Sequence, residues 1–147
     1  MKRYFLLGVI FATSVLGGCA SVPMASLEAD TNAKQFNVEP NKSNIYLYRN
    51  ESMGGAIAMP VALDGQVAGK SGPQTFFLWS VEPGEHEVTS LTENTAKIKI
   101  NTKAGKNHFI WQEVKMGMWT ARSKLNEVDE EEGKKGVEEC KLAESEI

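Results

Sequence analysis

Residues 75–81 read TFFLWSV. Phe77, Trp79 and Val81 fall on one side of an extended chain, and Phe76 and Leu78 on the other. A strand that is apolar on both faces belongs in the middle of its sheet. Just after it, Glu82-Pro83-Gly84-Glu85 fits a type II turn: proline presets φ near −65° and glycine takes the positive φ. "GEHEVTSLTE" then leads to "AKIKINT". There Ile98 and Ile100 point one way while Lys97, Lys99 and Asn101 point the other, the pattern of a half-buried strand. Ala104-Gly105-Lys106 makes the next turn, "NHFIWQEVKM" another strand and "MWTARSKL" a last one.

The same texture continues upstream. "NIYLYRN" alternates, with Ile45 and Leu47 on one face and Tyr46 and Tyr48 on the other. "AMPVALDGQVAGK" reads as a hairpin closed by Asp64-Gly65, because a type I′ turn needs positive φ at both central residues. Pro60 marks an edge strand or a strand start. Seven or eight short strands, with turn signals roughly every 8–12 residues, indicate an antiparallel β-sandwich or barrel over residues 43–126. The predicted fold is mainly β, a sandwich with one C-terminal α-helix. That helix falls within 127–147, where Asp129 caps and Glu132 takes the capping-box position. Glu130–Lys134 and Glu131–Lys135 are favourable i,i+4 pairs. Gly133, Gly136, Val137, Cys140 and Ala143 form a stripe of small residues that lets the helix lie close against the sheet. The alternative is a frayed acidic tail, since each helical glycine costs about 1 kcal/mol.

The N-terminus has a different character. Lys2 and Arg3 precede the uncharged run Tyr4–Leu16, which ends in Gly17 and Gly18. This is the order of a secretory signal peptide over residues 1–18. A spanning helix needs about 20 apolar residues, and this run is shorter and interrupted by Gly8, Thr13 and Ser14. Residues 20–42 are small, polar and aperiodic, with Pro23 and Pro40. With Cys19 they read as a flexible tether over 19–42, whose fully extended reach is about 75 Å.

Removing 18 residues leaves 129, one domain's worth of chain, able to bury a core without staples. The formal net charge of −3 is unevenly spread. Residues 19–126 carry 11 basic and 10 acidic side chains, whereas the last 21 residues carry 3 and 9. No basic patch with interleaved aromatics is present, which argues against nucleic acid as a partner.

Leu16-Gly17-Gly18-Cys19 resembles the lipobox of bacterial lipoproteins. The resemblance implies cleavage between Gly18 and Cys19, diacylglycerol on the Cys19 thiol, and acylation of the new amine. Two or more chains give stable anchoring where one does not. Ala20 at the second mature position implies sorting to the outer membrane, on either the periplasmic or the surface face. Cys140 is then the single thiol left, so no intrachain disulfide is possible. It is either a small buried residue or one half of an interchain pair.

"IYLYR", "VALDG", "VEPGEHEV" and "AGKNHF", in this order behind a lipobox, resemble a bacterial lipoprotein family catalogued as domain of unknown function 2846. The Pro-Gly-x-His stretch is also similar to the hairpin of PEGA-type surface domains. The resemblance spans roughly residues 44–142 and implies a small β-sandwich on the envelope surface. It brings no catalytic or binding residue with it. His108 departs from the family pattern, in which an aromatic often follows the Ala-Gly-Lys turn.

Catalytic signatures are missing from the sequence. His86 and His108 are its two histidines, no H-x-x-x-H or C-x-x-C occurs, and no metal or cofactor is expected. There is no G-x-S-x-G elbow and no glycine-rich phosphate loop opening a helix. The expected function is non-enzymatic: binding or scaffolding toward a periplasmic or surface protein. The alternative is a glycan or small-ligand module that uses an aromatic groove of Trp79, Trp111, Trp119, Tyr46 and Tyr48. Trp79 and Trp111 also suit the core of a small sandwich. Trp119, Arg49 and Tyr46 are the candidate contact residues, Trp119 foremost because it stands beside Gly117 in "KMGMWT".

Overall fold

The computed structural model describes residues 21–53, 55 and 57–147. Among them the chain runs α1 (Leu27–Ala33), β1 (Ser43–Arg49), β2 (Met59–Leu63), β3 (Gln66–Ser71), β4 (Thr75–Val81), β5 (Gly84–Leu91), β6 (Thr95–Thr102), β7 (Asn107–Met116), β8 (Ala121–Val128), α2 (Glu130–Glu138) and β9 (Lys141–Leu142). A five-stranded sheet of order β8-β7-β1-β4-β9 packs on a four-stranded sheet of order β3-β2-β5-β6. This is the expected β-sandwich with a C-terminal helix.

Alternation along the strands sorts side chains into layers. Ile45, Leu47, Phe77, Trp79 and Ile110 point inward to meet Val61, Val88 and Ile100 of the other sheet. Tyr46, Tyr48, Phe76 and Phe109 point outward and are covered by Ala33, Phe36, Val137 and Cys140. The five-stranded sheet therefore has two buried faces, which is why β1 and β4 are apolar on both sides. The outer face of the four-stranded sheet is polar, with Lys97 and Lys99 bonded to Glu87 and Glu85 across the β5–β6 pair.

Several expectations are corrected. The Glu82-Pro83 turn closes no hairpin: β4 pairs with β1 and β9, whereas β5 pairs with β2 and β6. The proline and Gly84 (φ 141°) mark a corner where the chain changes sheets. Two pairings are parallel, β1 with β7 and β4 with β9. Pro60 is the second residue of β2, a strand interior to its sheet, so it marks a strand start and not an edge strand, and it lies before the β2–β5 register begins at Val61. Asp64 (φ 50°) and Gly65 (φ 81°) form the predicted tight turn.

The described part of the expected tether, residues 21–42, is folded. Ser26 caps α1 by accepting from the Ala29 N–H at 3.1 Å. Val22 and Ala33 are buried, and the Tyr46 hydroxyl donates to the Ala33 carbonyl at 2.8 Å. Polar composition hid this because a few apolar side chains, Phe36 above all, do the packing. At the other end, Asp129 caps α2 by accepting from the Glu132 N–H at 2.9 Å. The helix stops at Glu138, short of the full predicted stripe. Cys140 and Ala143 are buried from the extended segment that adds β9 to the sheet. The 126/127 boundary has no structural counterpart, since β8 runs through it to Val128.

Candidate interaction site at the hairpin tip

β7 and β8 pair from Phe109↔Val128 to Met116↔Ala121, so Gly117–Thr120 form the tip of a long hairpin. Gly117 is required there: a Cβ would stand 1.9 Å from the Thr120 carbonyl oxygen. The tip is held from below by Glu93, which lies between β5 and β6. Its carboxylate accepts from the N–H groups of Met118, Trp119 and Thr120 at 3.0, 2.8 and 2.9 Å. Those three amides hold its pKa below the ordinary carboxylate range, with a smaller contribution from Arg122. Asn94 clips the same turn to β8, donating to the Ser123 carbonyl at 2.9 Å and accepting from the Ser123 N–H at 3.0 Å.

This clamp fixes the backbone and leaves the side chains outside. Trp119 is 89 %, Met116 84 % and Met118 81 % exposed, and Met53 of the neighbouring loop adds a fourth apolar side chain at 53 %. A shallow cleft of about 350 Å³ lies among Met53, Ile57, Val114 and Trp119. Its floor is a small cluster of Met59, Val114 and Ala121.

Trp119 is the candidate residue that the structure leaves accessible. Arg49 is a correction, being fully buried. Its guanidinium donates to the carbonyls of Ile57 (2.9 Å), Met53 (3.3 Å) and Ser71 (3.4 Å), so it organises the loop beside the tip from within. Burial lowers its pKa and Glu51 acts in the opposite direction. Tyr46 is a second correction: it is fully buried, 5.0 Å from the Phe109 ring, and burial raises its pKa. Tyr48 and Trp79 are buried and Trp111 is half-buried, so the structure does not bring the named aromatics together as an exposed groove. Gly18 and Cys19, the expected cleavage and lipidation site, lie outside the described residues. Cys140 is buried, its thiol donates to the Arg49 carbonyl at 3.5 Å, and burial pushes its pKa up to about 12.

The two histidines are held separately. His86 bonds to the Asp64 carboxylate at 2.6 Å and the Glu82 carbonyl at 2.7 Å. His108 accepts from the Lys103 N–H at 3.1 Å. Among the described residues no three His, Cys, Asp or Glu side chains gather closely enough to hold a metal ion. Sequence reasoning missed Glu93, Met116, Met118 and Met53. For the methionines a signal was present: "KMGMWT" puts apolar residues at a turn, where polar ones are the rule.

The family described as "Protein of unknown function (DUF2846)" matches residues 39–124. The chain belongs to that family. The DUF2846 segment runs from just before β1 into β8 and so includes the whole hairpin tip. An "Uncharacterized protein" of Haemophilus influenzae is 37 % identical over 137 residues, covering 92 % of this chain and 82 % of that relative. A match of that length extends well past both ends of the DUF2846 segment, to parts of the chain that hold α1 and α2.

Proposed function

We propose that this protein is a lipid-anchored bacterial envelope lipoprotein, acylated at Cys19 and resident at the outer membrane, that binds or scaffolds an envelope protein rather than catalysing a reaction. The observation that carries the reading is Leu16-Gly17-Gly18-Cys19 directly behind a basic and then apolar leader. Its physical sense is that two or more acyl chains, at about 0.8 kcal/mol per buried methylene, hold a small domain at a bilayer stably. No described helix is long and apolar enough to cross a membrane.

The test is incorporation of labelled palmitate into the native protein in its own envelope. Label on the wild-type protein that disappears in Cys19→Ala supports the anchor; an unlabelled mature chain refutes it. Cross-linking in the same envelope, followed by identification of the attached proteins, addresses the scaffolding role. Recovery of the protein with no specific neighbour speaks against that half of the proposal.

A further inference from the structure

We infer that the Met-Trp hairpin tip is a second membrane contact, seated in the same bilayer that receives the acyl chains of Cys19. The inference rests on the anchoring reading above and adds what the folded domain itself does at the membrane.

The argument begins with strand direction. β1 and β7 are parallel, β4 is antiparallel to β1, and β9 is parallel to β4. The C-terminal ends of β1 and β7 and the N-terminal ends of β4 and β9 therefore share one end of the sheet. The hairpin tip projects beyond that end, because Tyr48 is level with Trp111 while β7 continues to Met116. The first described residues lie at the same end: Ser21 and Val22 border a cleft with Gly72, Pro73, Gln74 and Thr75. β4 and β7 are two strands apart, about 10 Å. Cys19 precedes Ser21 by two residues, so covalent geometry keeps its α-carbon within about 7 Å of that of Ser21.

Because residues 21–42 are folded, there is no long tether to let the domain turn away. An acylated Cys19 draws this end of the sandwich onto the lipid, and the exposed apolar side chains of the tip and its neighbouring loop are Met116, Met118, Trp119 and Met53, with Met24 beside the anchor-side cleft. Tryptophan favours the water–hydrocarbon boundary. The tip amides of residues 118–120 are already satisfied by Glu93, so leaving water does not orphan them. Acidic groups stand at both ends: the run Asp129–Glu132 follows the C-terminal end of β8 at the opposite end, while Glu93 lies under the tip, Glu51 beside it and Glu139 at the cleft of Ser21, so the contact rests on the apolar side chains and not on charge.

The test uses the full-length processed protein reconstituted in phosphatidylethanolamine–phosphatidylglycerol vesicles, with and without phospholipid brominated on its acyl chains. Bromine quenches tryptophan emission only at short range. The expected result is loss of the Trp119 share of the emission, one tryptophan of three, and no such loss in Trp119→Phe. Trp119 is exposed, so that variant keeps the fold. Equal quenching in both proteins overturns the inference. So does Trp119 protected from acrylamide but untouched by bromine, which places a protein or a second copy on the tip. The mass of the N-terminal peptide from the same sample separates the two proposals. Acylated Cys19 with unquenched Trp119 overturns this inference alone, and bare Cys19 overturns the anchor and this inference with it.

Discussion

At the scale of single residues, Arg49 shows why a charged side chain at a strand end is ambiguous in sequence. Its neighbours Asn50 and Glu51 suggest an exposed edge, yet the guanidinium turns inward and satisfies carbonyls of a loop that has few strand partners. Replacing it by the apolar Arg49→Met leaves those carbonyls without their donor. The expected cost is about 2–4 kcal/mol, read as a lowered urea midpoint at unchanged slope. A change within experimental error would mean that the loop is held otherwise. His86 gives a pH dependence. Partial burial alone would lower its pKa, but the Asp64 carboxylate and the Glu82 carbonyl raise it above its ordinary 6.5. A raised folded value means that the stabilisation is complete below 6.5 and fades as pH climbs through the folded pKa. Asp64 works in the opposite sense. Desolvation would raise it, yet His86 and the Glu87 N–H bring it below 3.8, so its share is lost only in acid. The His86 share of stability, read in thermal unfolding as the difference between wild type and His86→Gln, should therefore fall from pH 6 to pH 8 by no more than about 1 kcal/mol given the pair's exposure, whereas His108, whose pKa burial lowers, contributes in the opposite sense to both proteins. Asp64-Gly65 was legible because its backbone demand is local; Arg49 and Tyr46 were not, because burial depends on what the rest of the chain lays over them.

At the scale of elements, most strands were legible to within two residues, and their partners were not; the last was read over residues 118–125 and runs Ala121–Val128, because Met118, Trp119 and Thr120 belong to the hairpin tip. Ile45 and Leu47 separate from Tyr46 and Tyr48 as alternation requires, but nothing local says that β1 lies parallel to β7. The turn at Glu82-Pro83 carries hairpin residues and serves as a corner, with Gly84 at φ 141° already in β5 rather than at the roughly +80° of a type II turn. The small residues of α2 were a better guide. A Cβ on Gly136 would stand 2.2 Å from Tyr48 Cε2, and one on Gly133 2.1 Å from Phe109 Cγ. Propensity alone makes Gly136→Ala stabilising by about 1 kcal/mol. Close packing should reverse the sign, with a net loss of about 1–3 kcal/mol as the helix is pushed off the sheet. Chemical denaturation of this variant decides between the two effects, and a rise in the midpoint would show that α2 does not lie where the packing puts it. The hairpin tip also belongs at this scale. Its sequence offers no polar residue to face water except Thr120, and its rigidity comes from a carboxylate borrowed from the other sheet.

At the scale of the whole molecule, the decisive difference from the sequence reading is where folding begins. Composition placed residues 19–42 outside the domain, since prolines and small polar residues dominate there. The described part is instead sewn onto the sandwich at several points. Asp30 accepts from the Leu142 N–H at 2.7 Å, Lys34 donates to the Cys140 carbonyl at 2.6 Å, and Asn107 donates to the Phe36 carbonyl at 2.7 Å. The Phe36 ring lies 5.4 Å from Tyr46 and 6.0 Å from Phe109, and Lys134 sits over its other side at 5.3 Å. One aromatic therefore joins α1, the outer face of the five-stranded sheet and α2. A phenylalanine in a tether can be truncated at no cost, whereas one in a core costs about 3–5 kcal/mol. Phe36 is only half-buried, so Phe36→Ala should fall below that range, at about 2–3 kcal/mol. The variant should also speed amide exchange in α1 and in the first turn of α2 before it affects the strands between the sheets. The two readouts separate the cases. A tether predicts neither, a purely local role predicts fast exchange in α1 with no shift of the unfolding midpoint, and the packing seen here predicts both. The outcome also bears on the membrane geometry, because only a segment that is folded from Ser21 onward keeps the anchor end and the Trp119 tip facing the same way.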